Sequence, residues 1–464
     1  MQGVQEQHNP LGYEKIGKLL RQFAVPSIVA MLVSSLYNIV DQVFIGHSVG
    51  YLGNAATNVA FPLTTISLAF SLLIGVGSAS CFSIELGKGN KKTAESCVCN
   101  ALFMATMIGA IYAVFIEVFM VQLLNAFGAT VEIMPYATDY VRITAVGMPF
   151  LIFTNVMSNL IRADGSPRFS MVCMVTGAVV NTILDPILIF VFHMGVAGAA
   201  IATVISQIVS CVIAAMYFTR FKQVNPRLRE FRPDPRQCGR QASLGLSNSL
   251  NQVALTLTQV VMNNSLKYYG ALSIYGENIP LSAVGIVMKI NAIAIAVFVG
   301  VAQGSQPIIG FNYGAKQYDR VKMVYKQALR WNLIVGFGCF ALFQLIPKYL
   351  IMIFGSGDAL YFEFAVNFLR TYLFTVFLTG GQLLSSNFFS AIGKPMKGVI
   401  LSLSRQTIFL VPLILVMPIF FGIDGLRFTA PISDTLSFCV CMYFIYREFK
   451  RMTAESREFP QEIA

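Results

Sequence analysis

The sequence predicts an all-α polytopic membrane protein in which twelve transmembrane helices form two pseudo-symmetric six-helix bundles around a central cavity. Three observations carry that prediction. Of 464 residues, 56% are hydrophobic and only 12% charged, about half the charged fraction that clothes a soluble globule. Apolar stretches of the roughly 20 residues needed to cross a bilayer core occur twelve times. An internal repeat divides those stretches six and six.

In chain order the stretches run from 23 to 45, 58 to 84, 97 to 124, 139 to 160, 169 to 192, 196 to 218, 243 to 266, 281 to 309, 327 to 346, 363 to 389, 397 to 420 and 426 to 446. Several exceed a straight crossing, which predicts tilt or extension beyond the membrane. Four regions follow: an N-terminal lobe (1–218), a linker (219–240), a C-terminal lobe (241–446) and a tail (447–464). The net charge is +11, from 33 basic and 22 acidic residues, and its distribution argues against a nucleic-acid partner. One set of alternate loops holds 26 of the Lys and Arg residues and the other set five, while Lys289 and Arg405 lie inside spans. Cytoplasmic loops carry the basic excess, so both termini are expected in the cytosol of a cell with the protein in its inner membrane. The polar N-terminus is not a cleaved signal peptide.

At an offset of about 227 residues, GSASCFSIELGKGNKK from Gly77 matches GSQPIIGFNYGAKQYD from Gly304. DYVRITAV pairs with NFLRTYLF, ADGSPRF with AIGKPMK, and GVAGAAIAT with GIDGLRFTA. Each repeat has an even number of spans, so the copies enter from the same side and are related by an axis along the membrane normal. Two such bundles can rock about the cavity between them.

Charged groups inside a membrane are costly and therefore functional by default. Asp41 and Asp185 lie about 30 and about 25 Å from the basic loops at 1.5 Å per residue, at similar depth in the first bundle. Asn181 precedes Asp185 by one turn on the same face, and Thr203 enters from the sixth span. These oxygens can hold a small hard cation, or the two carboxylates can share a proton. The repeat duplicates the fold but not the carboxylates: Asp41 falls opposite Asn263, and Asp185 near Val411 to Leu413. Cation coupling is therefore expected in the N-terminal bundle. Glu117 and Asp434 qualify by position without an evident carboxylate partner.

Asn248, Gln252, Thr256, Gln259 and Asn263 form a polar stripe along span 7, which either lines the cavity or bonds neighbouring helices. Pro26 removes a hydrogen bond inside span 1 and can act as a hinge. Tyr37, Asn155 and Met288 are candidate cavity-wall residues, because adaptable aromatic and Met surfaces suit promiscuous binding. The nine cysteines are scattered and the three histidines form no cluster, so no metal other than a coupling Na+ is expected. No nucleophile, metal or nucleotide motif marks an enzyme.

These segments resemble the multidrug and toxic compound extrusion (MATE) transporters, and within them the bacterial DinF-like branch. The resemblance covers essentially the whole chain and rests on VPSIVAMLVSSLYNIVDQVFIGHSVG, GKGNKK, QGSQPIIGFNYGAKQYD, LIRADGSPRF, NTILDPILIF and GVAGAAIAT. It implies a monomer in the lipid bilayer exporting organic cations and amphipathic small molecules in exchange for Na+ or H+, with no other cofactor. It also implies a cation site at Asp41, Asn181, Asp185 and Thr203, with bending of span 1 at Pro26 on loading. Spans 7 and 10 lack the central acidic residues that the NorM-like branch uses, leaving Lys289 and Arg405 either to hold helices together or to meet anionic parts of a substrate. The rival reading is a flippase for a lipid-linked oligosaccharide, whose pyrophosphate needs several basic residues.

Overall fold

The computed structural model describes residues 9–49, 51–226, 233–354 and 358–458. His8, the linker centre at 227–232 and the tail from 459 onward lie outside the described residues. Every regular element among the described residues is helical. The first lobe holds α1 (Ile16–Val49), α2 (Tyr51–Gly87), α3 (Lys91–Ala126), α4 (Met134–Ala163), α5 (Pro167–Pro186, continued by a π-helical turn Ile187–Val191) and α6 (Gly195–Met216). The second holds α7 (Pro235–Ala271), α8 (Asn278–Gly314), α9 (Tyr318–Leu345), α10, α11 and α12 (Leu426–Glu458). Two of these are broken: α10 into Ala359–Tyr372 and Val376–Ala391, and α11 into Pro395–Leu403 and Val411–Phe421 around a π-helical stretch Ser404–Leu410.

Among the described residues nine stretches are long and apolar enough to cross a membrane on hydropathy alone, and the physical reason for the difference from twelve is local. The polar stripe lowers α7, the break at 373–375 shortens α10, and α11 and α12 merge into one apolar stretch from Pro395 to Arg457. The exposed faces fit lipid: Ile111, Val114 and Val118 of α3 are each more than 60% exposed, a patch that water would not tolerate.

Chain punctuation explains the helix limits. Gly165 and Gly393, paired by the repeat, both adopt left-handed backbone (φ 89° and 78°) two residues before the prolines that open α5 and α11. Only glycine takes that conformation without steric cost, and proline suits a first helical turn. At α7 the Asp234 side chain accepts from the backbone N–H groups of Arg236 and Gln237 (2.9 and 3.4 Å). Capping there starts the helix at Pro235, so the linker ends before residue 240, and α12 runs on past residue 446 into the expected tail.

Each lobe has its own apolar core, with Phe82, Val156 and Leu160 buried in the first and Val287, Phe368 and Ile414 in the second. The lobes meet at the end that carries both termini. There Leu20 and Phe23 of α1 pack with Ile308 and Ile309 of α8 and Phe388 of α10. Backbones touch at two crossings that the repeat makes equivalent. A Cβ on Gly304 would lie 2.6 Å from Ala24 Cα, and one on Gly300 2.6 Å from Ile28 Cα, locking α8 to α1. A Cβ on Gly77 would lie 1.9 Å from the Gln241 carbonyl oxygen, and one on Gly245 1.9 Å from that of Leu73, locking α2 to α7. Small residues of this kind let helices approach closely inside a membrane.

Polar bonds reinforce the interlock. Gln306 Nε2 of α8 donates to the Val76 carbonyl and Ser80 Oγ of α2 (3.0 and 2.8 Å), and Arg240 of α7 pairs with Glu85 of α2 at 2.8 Å. All of these contacts lie in the terminus-bearing half. In the opposite half the facing surfaces of α7 and α8 become exposed, and the lobes part into a cleft.

Candidate cation site and cleft

Asp41 on α1, Asn181 and Asp185 on α5, and Thr203 on α6 converge in the half away from the interlock. Asn181 and Asp185 are one helical turn apart on one face. The Asn181 Nδ2 group donates to Asp185 Oδ1 at 3.2 Å and reaches Thr203 Oγ1 at 3.5 Å. The Asp41 and Asp185 carboxyl groups lie close enough to interact with each other. Asp185 is 0% exposed and Asn181 1%. Directly after Asp185, Pro186 and the π-helical turn interrupt the α-helical ladder, a distortion often found at functional sites.

The cluster is electrostatically incomplete. Asp41 Oδ1, Asp185 Oδ2 and Asn181 Oδ1 are buried without a hydrogen-bond partner, and among the described residues no Lys or Arg forms an ion pair with either aspartate. Two adjacent buried carboxylates repel, so the arrangement calls for a bound cation or a shared proton. Tyr37 and Tyr140 both lie close enough to Asp41 and Asp185 to interact electrostatically with them. Tyr140 is a residue that sequence reasoning missed: its segment DYVRITAV was read for the repeat alone.

Arg405 is answered differently. On the π-helical stretch of α11, its Nε donates to Asp434 Oδ1 of α12 at 2.6 Å. Thr375, in the break of α10, and Thr379 beyond it donate to the other oxygen at 3.1 and 3.2 Å. Arg405 and Asp434 are 8% and 4% exposed. Of the two roles open to Arg405, the pairing favours holding helices together: its guanidinium is buried against Asp434 of α12.

The cleft walls come from the faces that interlock lower down. On α7 the face of Gly245 continues as Asn248, Gln252 and Thr256, all half-buried, and then Gln259 and Asn263, both exposed. Their side-chain bonds stay on their own helix: Thr256 donates to the Gln252 carbonyl and Gln259 Nε2 to Asn263 Oδ1 (3.1 Å). Among the described residues none of these side chains bonds to another helix. Lys289 is exposed on α8, and its neighbour Met288 packs against the second lobe's core. Asn155 is half-buried on α4, donating to the Leu151 carbonyl of its own helix. Pro26 sits buried within a continuous α1, between Ala24 and Ile28, the two residues that touch α8.

Sequence reasoning also missed Arg162, which it counted among the loop charges. The side chain is 4% exposed and bridges the lobes, donating to Gln303 Oε1 of α8 (2.7 Å), Ser27 Oγ of α1 (3.2 Å) and Asn159 Oδ1 (3.2 Å). Only its place at the C-terminal end of α4, beside a buried apolar run, could have signalled this.

A family model described as MatE matches residues 26–187 and 254–416. The chain belongs to the MatE family. The first match begins at Pro26 and includes Asp41, Asn181 and Asp185, and the two matched segments fall one in each lobe. Multidrug export protein MepA of Staphylococcus haemolyticus is 25% identical over 445 residues, spanning 95% of both chains. A crystal structure of MATE in complex with MaL6 aligns with a TM-score of 0.90 at 22% identity, over 96% of this chain and 99% of that one. A multidrug resistance MATE family transporter of the MOP superfamily, in its outward-facing conformation, aligns at 0.89 and 23% identity, over 98% and 99%. The two-lobe helical fold is thus shared across the MatE structures. As a MatE protein the chain is a multi-pass membrane transporter and not an enzyme.

Proposed function

We propose that this MatE protein exports organic cations and other amphipathic small molecules by antiport against Na+ or H+, loading the coupling ion at Asp41 and Asp185. The observation that carries the reading is the buried Asp185 carboxylate beside half-buried Asp41, with no Lys or Arg partner for either among the described residues. Asn181 and Thr203 complete the oxygen set. The protein acts as a monomer in the inner membrane, with both termini cytoplasmic, which the distribution of basic loops supports.

In this reading the interlock is the closed cytoplasmic side and the cleft opens outward. Pro26 lies at the interlock, fifteen residues below Asp41, or about 22 Å along α1. Its missing N–H makes this the weakest point of the helix ladder, so bending there swings Asp41 against α5 while the crossing with α8 stays in place. Cation loading and substrate release are then coupled through α1. The printed activity of the MepA relative, multidrug export, supports the substrate class. The flippase reading loses support because Arg405 is consumed by Asp434. Of the two intramembrane cations the sequence offered, that leaves Lys289, and one lysine is too little for a pyrophosphate.

The test is flux in proteoliposomes loaded with a fluorescent lipophilic cation, under a Na+ or a proton gradient imposed separately. Wild type should move the dye under at least one gradient, and Asp41→Asn should reduce that movement to the protein-free leak. Undiminished flux in Asp41→Asn would remove the coupling site.

A further inference from the structure

We infer that Lys289 is a specificity-determining residue that receives the carboxylate of zwitterionic amphipathic substrates in the cleft; the inference rests on the export reading above and refines its substrate class. The placement follows from α8 itself. Ser282, Lys289 and Ala292 are exposed, and a Cβ on Gly285 would meet nothing within 4 Å. Their spacing of three, four and three residues traces one helix face. Continued toward the interlock, that face reaches Gly300, which abuts Ile28 of α1, and Gln303, which accepts from Arg162 of the first lobe. The open stripe is therefore the inter-lobe face of α8 above the point where the lobes part.

Depth can be read from the same crossing. Gly304 meets Ala24 and Gly300 meets Ile28, so α8 and α1 run antiparallel, and Lys289 lies level with Ile39, within one turn of Asp41. It is eleven residues into α8, about 16 Å below the start of the helix. No carboxylate among the described residues lies within ion-pair distance of Lys289. The amide stripe of α7 adds Gln259 and Asn263 to the same wall, both exposed.

The two sides thus differ in charge, with two carboxylates inside the first lobe behind its wall and an exposed ammonium without a carboxylate partner, among the described residues, on that of the second. A compound with only a positive charge meets repulsion from Lys289. A zwitterion gives its acid group a charge-assisted hydrogen bond there and keeps its cationic end toward the first lobe.

The experiment compares one rhodamine dye as its free-carboxylate zwitterion and as its ethyl ester cation, with binding to the detergent-purified full chain read by fluorescence polarisation. The wild type should bind the zwitterion about tenfold more tightly than the ester, in line with one hydrogen bond to a charged group. Lys289→Gln should erase that preference, weakening the zwitterion while leaving the ester unchanged or bound more tightly, and Lys289→Arg should keep it. Equal affinities in the wild type, or equal losses for both dyes in Lys289→Gln, would overturn the assignment while leaving the export reading intact. If neither dye binds the wild type, the export reading fails and the assignment with it.

Discussion

The fifth helices of the two lobes contain the same distortion and use it for opposite ends. In α5 a π-helical turn follows Asp185, whose carboxylate lies near that of Asp41 with an amide and a hydroxyl beside it and, among the described residues, no Lys or Arg partner. In α11 a π-helical stretch carries Arg405, whose guanidinium answers Asp434 while two threonines occupy the other oxygen. The second arrangement is complete in itself. The first has no Lys or Arg partner among the described residues, which leaves room for a cation or a proton. Burial alone therefore does not mark a functional charge; the state of its partners does.

The largest expected effect lies on the complete side. Arg405→Met strands Asp434 in the core, and breaking a buried pair by removing one partner costs about 3–5 kcal/mol. Thermal unfolding in detergent should show a severe loss of stability, and Arg405→Met combined with Asp434→Leu should recover most of it. A single mutant as stable as wild type would dissolve the contrast between the lobes. A smaller effect is expected for Pro26→Ala, which restores a backbone hydrogen bond in α1. It should leave the unfolding temperature unchanged or raised and slow gradient-driven turnover several-fold; unchanged turnover would remove Pro26 from the coupling of α1 to α8.

Much of this contrast was legible in the sequence, for physical reasons that differ by residue. The repeat is visible because equivalent crossings need the same small residues, as Gly77 and Gly304 show where each touches a neighbouring helix. Asp41, Asn181, Asp185 and Thr203 could be grouped because depth in a membrane is nearly proportional to residue number along a helix. What one chain position cannot reveal is its partner on another helix. Arg405 stood open between structural and substrate roles until Asp434 appeared beside it, and Arg162 passed as a loop charge because its three acceptors come from α1, α4 and α8. Tyr140 escaped for the same reason. The break in α10 and the helical extension of α12 depend on packing and capping that hydropathy does not record.

The central claim, that the uncompensated carboxylates of the first lobe hold the coupling ion, is tested most directly by ion binding in the absence of substrate. Equilibrium binding of radioactive Na+, together with proton uptake on acidification, would be measured on the purified wild type and on the Asp41→Asn/Asp185→Asn double mutant. The account predicts that the wild type gives at least one of the two signals and that the folded double mutant loses it. Retention of the full signal in the double mutant would contradict the account.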